Sequence, residues 1–300
     1  MERTILLAVA ATVIMWGSSF PVTRLALEEL RPTELAVLRF AIASLAMLPV
    51  LVREKPRISA RDLSLIVPAG VLGVGFYATA LNFGLSRIGA GPASFIIEFG
   101  TPLTILGSAL VFGERLRLSA WLGVFVGFTG VAMIASEGLA EFRLADLRWN
   151  GAALIVLLAA ASHAASFILQ KPVLARQAAS VVTAVMLLSG AVALGLVFGF
   201  PLGCFGNLSL QGWACLIYLG LMPGALANFT WAYVLSRMPA GQATIFLYAV
   251  PIVSQALAVV WLKEAVRPVD GAGSGLILFS LLLTTGTFPV FFRMRGQSVG

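Results

Sequence analysis

The sequence predicts an all-α integral membrane protein with ten transmembrane helices in two inverted five-helix repeats around a central cavity. Three observations carry that expectation. Hydrophobic residues make up 59% of the chain and charged residues 11%, against roughly 45–50% and about 25% in soluble domains. The apolar residues fall into ten runs, separated by charges or Gly/Pro turns. Residues of the first half recur in the second at a nearly constant shift of about 150 positions.

A soluble chain of 300 residues with a mean hydropathy of +0.98 could not hide its apolar surface, so lipid is the solvent. The net charge of +7 then reads as a topological bias and not as a nucleic-acid footprint. Cys204 and Cys215 match no disulfide framework or metal spacing, and the single histidine, His163, excludes a His-cluster metal site. No cofactor is implied.

The runs lie near 4–24, 33–52, 63–84, 91–112, 118–136, 150–170, 180–200, 211–235, 241–262 and 271–292. The first, within MERTILLAVAATVIMWGSSF, imitates a signal peptide. Its small residues lie inside the apolar run and no polar region follows, so a membrane helix is preferred. The longest polar stretch, about 137–149, separates helices five and six, which divides the chain into 1–146 and 147–300. With the N-terminus in the cytoplasm, 12 Lys and Arg residues fall inside and 7 outside, which favours both termini in the cytoplasm.

The repeat is clearest between Leu85–Leu116 and residues 235–266, where Ser86-Arg87, Ala90-Gly91 and Glu114 match Ser236-Arg237, Ala240-Gly241 and Glu264. Helices one and six align at a shift of 147, pairing Trp16 with His163 and Ser19 with Ser166. Helices five and ten align at 148, Gly123 with Gly273. Five helices per unit is odd, so the second unit enters from the opposite face. That plan is common among secondary transporters, which hold substrate near the midplane between the units.

The set Trp16-Gly17-Ser18-Ser19-Phe20-Pro21, Leu38-Arg39-Phe40, Gly113-Glu114 and Lys263-Glu264, in register with ten helices, resembles the EamA branch of the drug/metabolite transporter superfamily. The resemblance covers nearly the whole chain. It implies an inner-membrane carrier that exports small metabolites through a cavity between the halves, and the aromatic residues suggest similarity to amino-acid exporters.

Helix one carries Thr12, Trp16, Ser19 and Thr23 on one face, and helix six carries Ala159, His163, Ser166 and Gln170 on the matching face. Such stripes would be wasted on lipid, so the expectation is that they line the cavity. The plainer alternative for Ser19 and Ser166 is bonding to their own helix backbone. Arg39 and Glu98 sit at similar depths, about 10 Å into helices two and four by a rise of ~1.5 Å per residue. Three readings stay open: a structural salt bridge, a pair holding the two ends of a zwitterion, or a protonatable coupling site at Glu98. Tyr248 stands at the repeat mate of Glu98, with Thr244 and Gln255 on the same helix face. Helices three and eight add Tyr77, Asn82, Asn228 and Trp231. Pro102 and Pro251 predict kinks in helices four and nine. Gly123-x-x-x-Gly127 and Gly271-x-x-x-Gly275 predict close helix packing, as scaffold or as contact with a second copy.

The expected function is alternating-access export of a small solute, an amino acid with an aromatic or bulky apolar side chain. The rival in the same fold is export of a drug, nucleobase or other metabolite. An intramembrane enzyme is disfavoured, because the chain offers no paired intramembrane carboxylates and no HExxH-type spacing.

Overall fold

The computed structural model describes residues 3–112, 118–135, 151–237, 246–247 and 249–285. Helices are the regular elements of these residues, and no strand occurs among them. In hydrocarbon a helix satisfies its backbone groups within its own segment, which is why long apolar runs fold this way. The expectations that fall on Gly113, Glu114, Arg115, Thr244 and Tyr248, and on both chain ends, lie outside the described residues.

The first two apolar runs become α1 (Arg3–Ala26) and α2 (Pro32–Glu54). Pro32 opens α2, where its missing N–H costs nothing, and Lys55 closes it at φ 39°. The third run is broken in its middle. It forms α3 (Ala60–Gly70), a π-helical turn (Val71–Phe76) and α4 (Tyr77–Leu85). Ser59 caps α3 by accepting the Asp62 backbone N–H at 3.1 Å. The fourth run divides into α5 (Ala90–Glu98) and α6 (Gly100–Phe112) at Phe99. Pro102 cannot donate to the residue 98 carbonyl, so the break falls one turn before the proline. Then come α7 (Leu118–Ala135), α8 (Gly151–Leu174) and α9 (Ala179–Phe198), which ends on Gly199 at φ 72°.

The eighth run is broken like the third, into α10 (Leu210–Leu219), a π-helical turn (Gly220–Leu226) and α11 (Ala227–Arg237). Ser209 caps α10 through the Gly212 N–H at 3.1 Å. The Ser209 hydroxyl and backbone N–H both donate to Glu29 in the turn after α1, and these bonds hold the Glu29 carboxyl below its ordinary pKa. The last described elements are α12 (Ala249–Leu262) and α13 (Pro268–Thr285). Pro251 lies in α12, preceded by the helical residues 246–247.

Six described segments are long and apolar enough to cross a membrane: Arg3–Ala26, Pro32–Glu54, Ala60–Leu85, Gly151–Leu174, Ala179–Phe198 and Leu210–Trp231. Leu118–Ile134, Ala249–Leu262 and Pro268–Leu283 are shorter apolar helices. Large apolar side chains such as Leu7, Phe125, Leu196 and Leu210 project outward, as a lipid solvent permits. The largest cluster of buried apolar residues joins α1, α5, α8 and α12 through Phe20, Phe95, Phe99, Val156 and Val250.

Helix contacts recur when the halves are exchanged. α1 packs on α12, and α8, its counterpart, packs on α6. α1 also packs on α11, and α8 on α4. α2 meets the second π turn as α9 meets the first, and α2 meets α9. α7 and α13 form the most extensive pair. Their crossing point is Gly130 against Gly273. A Cβ on Gly130 would lie 2.6 Å from the Gly273 carbonyl oxygen, and one on Gly273 would lie 2.8 Å from that of Gly130. This differs from the expected packing motifs. Gly271 and Gly275 face open space, because the crossing uses the intervening face on which Gly273 stands. Gly123 is buried, and Gly127 receives the Phe99 ring. Gly273→Leu should therefore force α7 and α13 apart and lower thermal stability in detergent, at an overpacking cost of about 1–3 kcal/mol. Gly271→Leu should leave the unfolding temperature unchanged.

Candidate functional site

Between the elements lies a cavity of about 150 Å³, on the order of an apolar cavity that admits a benzene ring. Both halves build it. α1 contributes Trp16, Ser19 and Phe20, and α2 contributes Arg39 and Phe40. The first π turn and α4 contribute Gly73, Val74 and Tyr77, and the α5–α6 junction brings Glu98, Gly100, Thr101 and Thr104. The second half supplies His163, Phe167 and Gln170 from α8, Thr183 and Met186 from α9, and Pro223 and Asn228 from the second π turn and α11.

Each break in helical regularity borders this cavity, and the freed backbone groups find side-chain partners. Ser162 donates to the Leu72 carbonyl at 2.7 Å. Asn228 Nδ2 donates to the Gly224 carbonyl at 2.8 Å and to that of Pro223 at 3.3 Å, and Trp16 Nε1 donates to Pro223 as well, at 3.3 Å. The indole and the carboxamide thus face the cavity while bracing the π turn. Trp16 also leans on Trp231, with ring centroids 5.8 Å apart.

Opposite charges meet in the cavity without pairing. Arg39 and Glu98 both line it, yet no ion pair joins them. The structural salt bridge considered from the sequence is therefore not formed. Arg39 is 7% exposed, its guanidinium carbon lies 5.1 Å from the Phe40 ring centroid, and its Nε has no hydrogen-bond partner. A buried guanidinium nitrogen without an acceptor is costly, about 1–3 kcal/mol or more for a charged group. One wall is aromatic: Tyr77 stacks on His163 at 4.6 Å, and His163 touches Phe167 at 4.4 Å. No group of three or more His, Cys, Asp or Glu side chains that could hold a metal occurs among the described residues.

Of the residues singled out from the sequence, Trp16, Ser19, Arg39, Tyr77, Glu98, His163 and Asn228 come together in this cavity. Others stand elsewhere. Asn82 donates to the Pro32 carbonyl at 3.0 Å and ties α4 to the start of α2. Trp231 backs Trp16 from behind. Gln255 packs on Gly91, where a Cβ would meet its Oε1 at 2.0 Å. Ser19 bonds its own helix at the Trp16 carbonyl, 2.7 Å away, while still lining the cavity. Thr12 leaves the stripe to bond Thr230 at 2.7 Å. Sequence reasoning missed the α9 wall of Thr183, Met186 and Leu187. That helix is apolar on all sides, and a threonine in such a run carries no positional signal. Phe40 was visible only as part of a motif.

The chain matches the EamA-like transporter family twice, over residues 3–136 and 150–286. It belongs to that family. It is similar to a probable terminal-alkyne amino-acid exporter of Streptantibioticus cattleyicolor, 31% identical over 92% of this chain and 91% of that one. It is 24% identical to a probable amino-acid metabolite efflux pump of Escherichia coli K12, over 90% of this chain and 91% of that one. An uncharacterized transporter of Archaeoglobus fulgidus is 29% identical over 94% of this chain and 98% of its own. Among solved structures, one described only as a crystal structure of a protein aligns with a TM-score of 0.61 at 20% identity, covering 99% of this chain and 100% of that chain. That likeness shows a shared fold. As an EamA-like protein the chain is a multi-pass membrane transporter.

Asn228 gives this family member a stability test. Asn228→Leu removes the donor to two π-turn carbonyls, and an unsatisfied buried carbonyl costs about 1–3 kcal/mol. The variant should unfold at a lower temperature in detergent than wild type, and Asn228→Gln, which keeps the donor, should recover part of the loss.

Proposed function

We propose that this chain exports amino acids with aromatic or bulky apolar side chains across the bacterial inner membrane by alternating access. Ten membrane crossings form two inverted units, 1–146 and 147–300, with both termini in the cytoplasm. The recurrence of helix contacts on exchange of the halves and the excess of positive charge in the cytoplasmic segments support this topology. The names of the Streptantibioticus cattleyicolor and Escherichia coli relatives support the substrate class.

The observation that carries the reading is the pair of unbonded opposite charges in one cavity. A solute that brings an ammonium to Glu98 and a carboxylate to Arg39 neutralises both, and a solute lacking either group leaves a charge stranded in a low-dielectric site. The Tyr77–His163–Phe167 wall then takes the side chain by stacking and apolar burial. The assignment of Glu98 to the ammonium follows from charge alone, and a glutamate there also serves any cation. Arg39 is the more selective of the two, because a guanidinium demands an acceptor with planar geometry.

Reconstitution in liposomes tests the reading. Labelled phenylalanine or another large apolar amino acid should move down an imposed gradient. The absence of flux for every amino acid would end the substrate assignment, while flux of a different metabolite would keep the carrier.

Variants of the charged pair sharpen it. Arg39→Gln should raise the KM for the amino acid about 30-fold or more, the loss expected on removing one partner of a buried charge contact. For the corresponding amino-acid amide, which has no carboxylate, the same substitution should change KM far less. Glu98→Gln should show the reverse preference, harming the ammonium-bearing substrate and sparing its N-acetyl derivative. Equal losses for all derivatives would make both residues structural.

A further inference from the structure

We infer that the contact between α5 and α12 is the outer gate of the carrier, with Gln255 and Glu264 as its closing residues. The inference rests on the transport reading above and assigns roles to residues outside the cavity.

The contact has two layers. In the deeper one, Gly91 offers bare backbone and the Gln255 carboxamide occupies the space a side chain would fill. Beside it, Ser254 is fully buried and donates to the Ala90 carbonyl at 3.3 Å. In the layer nearer the surface, the Glu264 carboxylate accepts the Ala90 backbone N–H at 3.1 and 3.0 Å. It also pairs with Arg24 Nε at 3.1 Å. Arg24 in turn donates to the carbonyls of Leu85, at 3.2 Å, and of Ile88. One carboxylate from the second half thus joins α1, the turn before α5 and the start of α5, all from the first half. The N-terminus of α5 is a favourable seat for it, since unpaired N–H groups and the helix dipole both attract an anion. The chain is shaped to deliver it: Lys263 turns at φ 56°, and the Glu264 N–H returns to the Ala258 carbonyl at 3.2 Å.

The repeat provides an internal comparison. A shift of 150 carries Thr104 onto Ser254. Ser254 is sealed in the α5–α12 contact, whereas Thr104 lines the cavity and bonds its own helix at the Gly100 carbonyl, 2.8 Å away. The two equivalent positions occupy unequal environments, and the Glu264, Ser254 and Gln255 contacts close the Ala90–Glu264 end. The charge bias assigns the closed end to the outside. Release of solute to that side requires this contact to part, which breaks the Glu264 bonds and withdraws Gln255 from Gly91. Arg87, in the turn before α5, is exposed and takes no part in these contacts.

A reversible cross-link tests the gate. In a chain with Cys204 and Cys215 changed to Ser, Ala90→Cys with Ser254→Cys places thiols across the contact. Oxidation should cut flux in liposomes to below about a tenth, as locking a gating step does, and reductant should restore it. Full cross-linking with undiminished flux overturns the gate. Flux of the reduced and wild-type proteins reads the carrier itself, so its absence in both counts against transport of the chosen solute and not against the gate. A second measurement needs no flux. In the same cysteine-replaced chain, Thr104→Cys reports on the cavity through a membrane-impermeant maleimide added outside. Adding Glu264→Ala should raise the labelling rate about tenfold, the population shift that loss of a charge-assisted bond sustains. An unchanged rate overturns the proposal.

Discussion

In hydrocarbon no water can satisfy a stray backbone group, and this constraint organises the structure. A helix broken in the bilayer needs side chains at the break, and those side chains have to come from neighbouring helices or from the next turn. Both π turns obey this. The first is served by Ser162 from α8, and the second by Asn228 from its own helix and Trp16 from α1. Each partner sits beside the cavity or lines it. The irregular backbone and the cavity therefore occupy the same place for one reason: that is where polar side chains are already gathered. Loss of a brace such as Asn228 would strain the fold and the site together.

The same low dielectric gives meaning to the charges. Arg39 and Glu98 could have neutralised each other, as their similar depths in helices two and four suggested. Instead they stand apart in one cavity, and Arg39 leans on Phe40 with its Nε unbonded. A protein that only needed stability at this position would have done better with two apolar residues. Retaining both charges unpaired makes sense where a visiting molecule completes them. In contrast, the ion pairs Arg24–Glu264 and Arg176–Asp62 lie near helix ends, where each charge has its partner.

Much of this was legible in the sequence, because hydropathy over a membrane thickness is a strong signal and a repeat doubles it. The apolar runs and the gathering of Trp16, Tyr77, Glu98 and His163 follow from such patterns, whereas of the stripes of α1 and α8 only Trp16, Ser19, His163 and Gln170 line the cavity and Thr12, Thr23 and Ser166 do not. The π turns were not legible. A shift from i→i−4 to i→i−5 bonding leaves hydropathy unchanged, and Gly73, Gly75 and Pro223 each have commoner explanations. Nor could spacing alone choose the face of a helix crossing. Gly271 and Gly275 fit a packing motif, but Gly273 between them makes the contact. Gln255 was misread for a related reason. Its amide needed a partner environment, and both the cavity and the Gly91 backbone offered one.

Gln255 also shows how an inverted repeat can hold two states. If the halves were identical and identically placed, the ends of the cavity would be equally open, and a carrier would leak. The chain differs between its halves where closure is decided. Ser254-Gln255 in α12 corresponds to Thr104-Ile105 in α6, and a long amide that fills the space over Gly91 is matched by an aliphatic residue. Glu98 corresponds to Tyr248, so the carboxyl group is likewise on one side only. The two closed forms are then unequal in energy, and the solute can shift the balance only through contacts that differ between them. Under the proposed gate, α5 leaves α12, and Glu98, at the junction where α5 gives way to α6, would shift relative to Arg39 in α2. A zwitterion spanning both side chains would sense that change, which would link occupancy of the cavity to the state of the gate.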